Sequence, residues 1–212
     1  GPAAAAVERG ESAAEAARRA APLDSQANGA LMRVSPLGIL GAGAGEQTAQ
    51  GWARADAGLT HPHQVCRDAN AVFVTALAFA IASGEEPEAV YRHALETTER
   101  RRVEPAVLET LRKAAAGPPG DYLRQQGWVL IAFQNAFYQL LHAGGLEAGV
   151  VDTVRRGGDT DTNGAIAGAL LGAVWGRGAV PHQWADRVLS CRPLAGLDNV
   201  RQPRPPAYWP VD

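Results

Sequence analysis

Lysine is almost missing from this chain: of its 20 Lys and Arg residues only Lys113 is a lysine, and the formal net charge is −2. No block of like charge is longer than Arg100-Arg101-Arg102, which argues against a nucleic-acid-binding face. Cysteine is scarce too. Cys66 and Cys191 form no CxxC pair and have no His pair beside them, so structural zinc and a disulfide framework are both poorly supported. A reducing cytoplasm is the compartment this implies. Long apolar runs are absent: Ala165–Trp175 is about half of the ~20 residues a membrane span requires. No leader is visible either, since the short apolar run Ala3–Val7 is followed by Glu8, Glu11 and Glu15. A soluble, cytoplasmic chain with no membrane partner is therefore expected. Alternating β-branched runs are the last absence, and they leave an all-α fold.

What is present is helical periodicity from end to end. A length of 212 residues with 46% hydrophobic and 20% charged residues suits a single globular domain with a substantial core. Gly1-Pro2 reads as a protease-cleavage remnant, and residues 3–212 as one helical domain. Ala-rich residues 3–21 favour one helix up to Pro22, with an irregular loop over 24–35. A short Gly-interrupted apolar piece covers 36–44, and a modest helix 46–59. Thr60-His61-Pro62 has the form of a helix start with proline in the first turn. Behind it Val65, Ala69, Val72, Phe73, Ala76, Leu77 and Ala80 form an i, i+3/i+4 stripe, so a buried helix is predicted over 62–83. Pro87 and Pro105 open helices over 87–101 and 105–116. The break GPPGD at 117–121 precedes a central helix over 128–142. Helices over 146–155, 163–175 and 181–191 follow, and a tail with five prolines closes the chain.

The stretch RGGDTDTNGAIAGALLG, residues 156–172, concentrates the chemistry. Two readings remain open for it. Asp and Thr are good N-caps, and acids in a first turn favour the helix dipole. A single cap needs one oxygen, however, and Asp159, Thr160, Asp161 and Thr162 supply four oxygen-bearing side chains. Carboxylates one residue apart repel one another unless a cation, a proton or solvent intervenes. Their hard oxygens suit Mg²⁺, Mn²⁺ or Ca²⁺ over zinc, and Gly157-Gly158 let backbone approach a ligand closely. Behind them Gly164, Gly168, Gly172 and Gly176 recur every four residues. They form a smooth stripe against which another backbone can pack, and close packing must offset roughly 1 kcal/mol per interior glycine.

This stretch resembles the C-terminal signature of the ADP-ribosylglycohydrolase family. NGALMRVSPLGIL (28–40), THPHQVCRDANAVFVTALAFAI (60–81) and GWVLIAFQNAFYQLLHA (127–143) are similar to further segments of that family, in order. The resemblance implies an all-α, single-domain, orthogonal multi-helix fold with two Mg²⁺ ions at the base of a cleft. It also implies hydrolysis of the glycosidic bond joining ADP-ribose to a protein or small-molecule acceptor. Carried onto this sequence, it makes Asp159, Asp161 and Thr162 the metal ligands, with the two aspartates catalytic. Asn28, Gly29, Met32, Arg33, His61, Trp128 and Gly158 become substrate-binding residues. Without the resemblance, Asn28-Gly29 is also an ordinary turn pair, Met32 and Trp128 suit a core, and His61 suits a helix start.

The family's upstream Thr-Asp-Asp-Thr motif has no counterpart before Asn28, where Asp24 is the nearest acid. The chain is thus expected to be N-terminally short. It would carry half of a two-metal centre and hold one Mg²⁺, or Mn²⁺, or none. Such a chain either hydrolyses ADP-ribosyl bonds or binds ADP-ribose without efficient turnover. Apolar faces exposed by a missing segment would favour a homodimer, or a partner segment or chain.

Overall fold

The computed structural model describes residues 2–190. Among them are eleven α-helices. In chain order these are α1 (Pro2–Glu8), α2 (Ala13–Ala20), α3 (Ser35–Ala44), α4 (Glu46–Ala57), α5 (Gln64–Ser83), α6 (Pro87–Arg100), α7 (Pro105–Ala116), α8 (Val129–His142), α9 (Leu146–Arg155), α10 (Thr160–Trp175) and α11 (His182–Leu189). The only β-type pairing among the described residues is an isolated antiparallel bridge between Ala27 and Trp128. The all-α expectation holds. The proline-rich tail lies outside the described residues.

Helix α5 is the axis. Its length and apolarity would let it cross a membrane, but 78% of its apolar window is buried inside the protein. Helices α3 and α4 cover one side of it, and α6, α8 and α10 pack on others. Phe73 and Leu77 of α5, Phe133 and Phe137 of α8, Leu111 of α7 and Ile166 and Leu170 of α10 meet in one core. Burying side chains of this kind contributes about 1.5–3 kcal/mol each before conformational entropy is subtracted.

Several boundaries differ from the sequence reading, each for a local reason. Residues 3–21 are two helices, because Gly10 takes φ +89° and ends the first turn-helix. The piece at 36–44 is a true helix: Gly38 and Gly41 let it press on Leu77 and Ala49, where a Cβ would come within 2.6 Å of either side chain. Helix α5 starts at Gln64, two residues late. His63 is its N-cap and accepts a hydrogen bond from the Val65 backbone N–H, so Pro62 stands before the helix. Gly84, at φ +68°, ends α5 with its N–H on the Ala80 carbonyl.

The glycine stripe of α10 faces α9. Leu146, Val150 and Val154 lie over Gly172, Gly168 and Gly164 in turn. The two helices run antiparallel, and this contact presents the N-terminus of α10 beside the turn that follows α9.

Candidate functional site

Asp159 occupies the N-cap position of α10, and its carboxylate lies near the Thr162 backbone N–H without a well-formed capping hydrogen bond. The Asp159 carbonyl instead accepts from the Asn163 N–H at 3.0 Å, and the Gly158 carbonyl from the Thr160 N–H at 2.9 Å. The carboxylate turns to the 25–33 loop, where Asn28 donates to its Oδ2 at 2.7 Å. Burial disfavours the charged form of Asp159. Hydrogen bonds from the Asn28 and Thr162 side chains overcome it and hold the carboxyl below its ordinary range. Asp161 is exposed in the first turn of α10. Thr162 points back to the loop, its Oγ1 4.0 Å from the Met32 sulfur.

The loop is fixed from three sides. The bridge between Ala27 and Trp128 places the Asn28 N–H on the Gly127 carbonyl and the Val129 N–H on the Gln26 carbonyl, both at 2.9 Å. The buried Cys66 thiol lies 3.6 Å from the carbonyls of both Ser25 and Ala27, in reach of donating to either. Burial pushes that thiol up to about 11, so it stays protonated. His61 packs on Gly29, where a Cβ would meet its ring at 2.9 Å, and its Nδ1 is 2.8 Å from the Thr60 hydroxyl. Burial first and the Arg33 charge second lower the His61 pKa, which keeps the ring neutral at pH 7.

Asn28, Gly29, Met32, His61, Gly158, Asp159, Asp161 and Thr162 therefore cluster around one loop and one helix start. Arg33 is committed elsewhere: its guanidinium pairs with Asp56 at 3.1 Å and reaches the Asp56 and Gly29 carbonyls. Trp128 donates its indole N–H to Gln26 and lines a cleft of about 750 Å³ with residues 24–27 and 125–127. Neither aspartate lines that cleft. Sequence reasoning missed Tyr122, whose carbonyl touches Gly158, and Gln26, which orients the indole. No spacing signals either, because each acts across a fold contact.

Two carboxylates and a hydroxyl on one turn are a hard-oxygen donor set that fits one Mg²⁺ or Mn²⁺, with water completing the shell. Among the described residues no third His, Cys, Asp or Glu joins them.

The model of the family described as ADP-ribosylglycohydrolase matches residues 2–204. A protein of Acanthamoeba polyphaga mimivirus, whose name assigns it provisionally as an ADP-ribosyl glycohydrolase, is 37% identical over 62 residues; these are 28% of this chain and 18% of that protein. A solved structure titled as an ADP-ribosylglycohydrolase-related protein complex superposes with a TM-score of 0.69 at 26% identity, over 84% of this chain and 64% of that one. The chain thus spans less than two thirds of the length of either relative.

Proposed function

The chain belongs to the ADP-ribosylglycohydrolase family, and on that premise we propose that it is a hydrolase of ADP-ribosyl glycosidic bonds assisted by Mg²⁺ or Mn²⁺ at Asp159, Asp161 and Thr162. The observation that carries this reading is the Asn28–Asp159 hydrogen bond. It joins the loop that would hold the sugar to the turn that would hold the metal. When bound, the ion would supply charge for orienting ribose hydroxyls and for lowering the pKa of water.

The chain's own residues have separable tasks in this scheme. Asp159, ionised and tied to Asn28, is a fixed acceptor and ligand. Asp161, exposed on the same turn, is the carboxylate assigned to take a proton from attacking water. The amide edge of Asn28 and the backbone beside Gly29 orient the ribose. Neutral His61 closes the wall behind Gly29 without adding charge. Trp128 offers an indole face to the base of the nucleotide at the rim of its cleft. Arg33 can meet a diphosphate only by leaving Asp56.

Thermal unfolding with Mg²⁺ and ADP-ribose, singly and together, tests the proposal alongside release of ADP-ribose from modified arginine or serine. Saturation at a hundred times the dissociation constant adds about 2.7 kcal/mol. Asp159→Ala with Asp161→Ala is expected to abolish the Mg²⁺-dependent part and the release. A Mg²⁺ shift that survives both substitutions sinks the ligand assignment. Ligand shifts without any release favour the second reading, an ADP-ribose-binding module, which draws on the lack of a third acidic ligand among the described residues.

A further inference from the structure

The turn that carries Asp159 is held from behind by Tyr122, Asn135, Thr153 and Arg156. Gly157 and Gly158 have φ of +78° and +74°. A Cβ on Gly158 would stand 2.1 Å from the Tyr122 carbonyl oxygen and 3.0 Å from its carbonyl carbon, so the two segments meet main chain to main chain. Tyr122 is itself fixed. Its buried hydroxyl donates to Asn135 Oδ1 at 2.8 Å, Asn135 Nδ2 donates to Thr153 Oγ1 at 3.0 Å, and Thr153 donates to the Gly149 carbonyl at 2.8 Å. Asn135 and Thr153 are wholly buried, so each link is costly to leave unmade.

A second hold comes from Arg156, the residue just before the glycine pair. Its guanidinium carbon lies 5.6 Å from the centre of the Tyr122 ring and 5.2 Å from that of Tyr138. Asp152 pairs with Arg156 at 2.6 Å and accepts from Gln139 at 2.5 Å, which fixes the cation over the rings. Helices α8 and α9 thereby grip both ends of the bend, through Asn135 and Thr153 on one side and Asp152 on the other.

We propose that Tyr122 is a positioning residue for the Asp159–Asp161 carboxylate pair, setting the left-handed Gly157-Gly158 bend through its carbonyl while Asn135, Thr153 and Arg156 fix its ring. This rests on the reading of Asp159, Asp161 and Thr162 as metal ligands. Groups that orient metal ligands change affinity by roughly 10–100-fold when removed.

The test is Mn²⁺ binding to the full chain, followed by electron paramagnetic resonance and calorimetry, with urea unfolding of each variant in parallel. Tyr122→Phe and Thr153→Val are each expected to weaken Mn²⁺ by roughly tenfold or more and to alter the bound-ion spectrum. Thr153→Ser, which keeps the hydroxyl, should restore both. Thr98→Val removes a comparable buried hydroxyl from α6, whose partner is the Ala94 carbonyl, and should leave the Mn²⁺ signature intact. Wild-type affinity in either folded variant overturns the proposal, as does an equal loss in Thr98→Val. If the wild-type chain itself binds no Mn²⁺, the metal reading has failed and the positioning role falls with it.

Discussion

The imidazole of His61 sits where two effects act in one direction: burial beside Gly29 and the Arg33 guanidinium both disfavour its protonation. Nuclear magnetic resonance titration is expected to give a pKa below the ordinary 6.5. Arg33→Gln should raise it only part of the way, because burial is the larger cause. The sign for folding follows. With the folded value depressed, the His61 contribution is complete above about pH 6.5 and is lost as pH falls through the lowered value. A pKa at or above 6.5 in the native protein would contradict the burial of this ring. The candidate residues Asn28, Asp159, Asp161 and Thr162 could be picked out at this scale, since they stand in recognisable strings. Their partners were not. Asn28 and Asp159 are 131 positions apart, and nothing near Arg33 in the sequence shows that Asp56 holds its guanidinium.

At the scale of elements, the glycine stripe of α10 was legible as a packing surface, though neither its partner nor its clearance was. Val150 would lie 3.4 Å from a Cβ on Gly168, and Leu146 3.8 Å from one on Gly172. Both are ordinary van der Waals contacts, so close approach of α9 does not require glycine there. Gly168→Ala and Gly172→Ala should each stabilise the protein by about 0.5–1 kcal/mol through helix propensity and a less flexible unfolded chain. Gly149 on α9 is the opposite case. A Cβ there would stand 2.6 Å from the Leu171 side chain, and Gly149→Ala should cost roughly 1–3 kcal/mol. Urea midpoints for the three variants decide between these signs. Helix starts were less legible than helix bodies, because caps depend on which side chain reaches the first free N–H: His63 does so at α5, though Thr60-His61-Pro62 has the stronger sequence form.

For the molecule as a whole, the buried carboxylate of Asp68 joins helices that the apolar pattern places but does not register. It accepts from Arg54 Nε and Nη2 of α4, from Gln64 of α5 and from the Glu104 backbone N–H ahead of α7. Asp68→Ala is expected to cost about 3–5 kcal/mol, since it leaves a partly buried guanidinium without its partner. Unfolding in urea should stay a single transition with an unchanged slope, and a separate early step would show that α4 melts alone. Periodicity made the helical class and most of the core visible, because burial of one face repeats along a helix. The polar hub stayed hidden, because one aspartate serving three segments leaves no period to read.

The bridge that binds Gln26 and Ala27 to Trp128 has a consequence in time. The indole and its glutamine partner are separated by 102 positions, and Asp159 follows later still. A ribosome must therefore release more than half of the chain before the loop at Asn28, already flanked by His61 and Cys66, can pair with Trp128. Such distant pairing slows the search for the native topology while adding little to its thermodynamic cost, about 0.6 kcal/mol for each doubling of the closed loop. The two faces of the candidate site then meet as the late helices dock, and a nascent chain short of α10 holds only one of them.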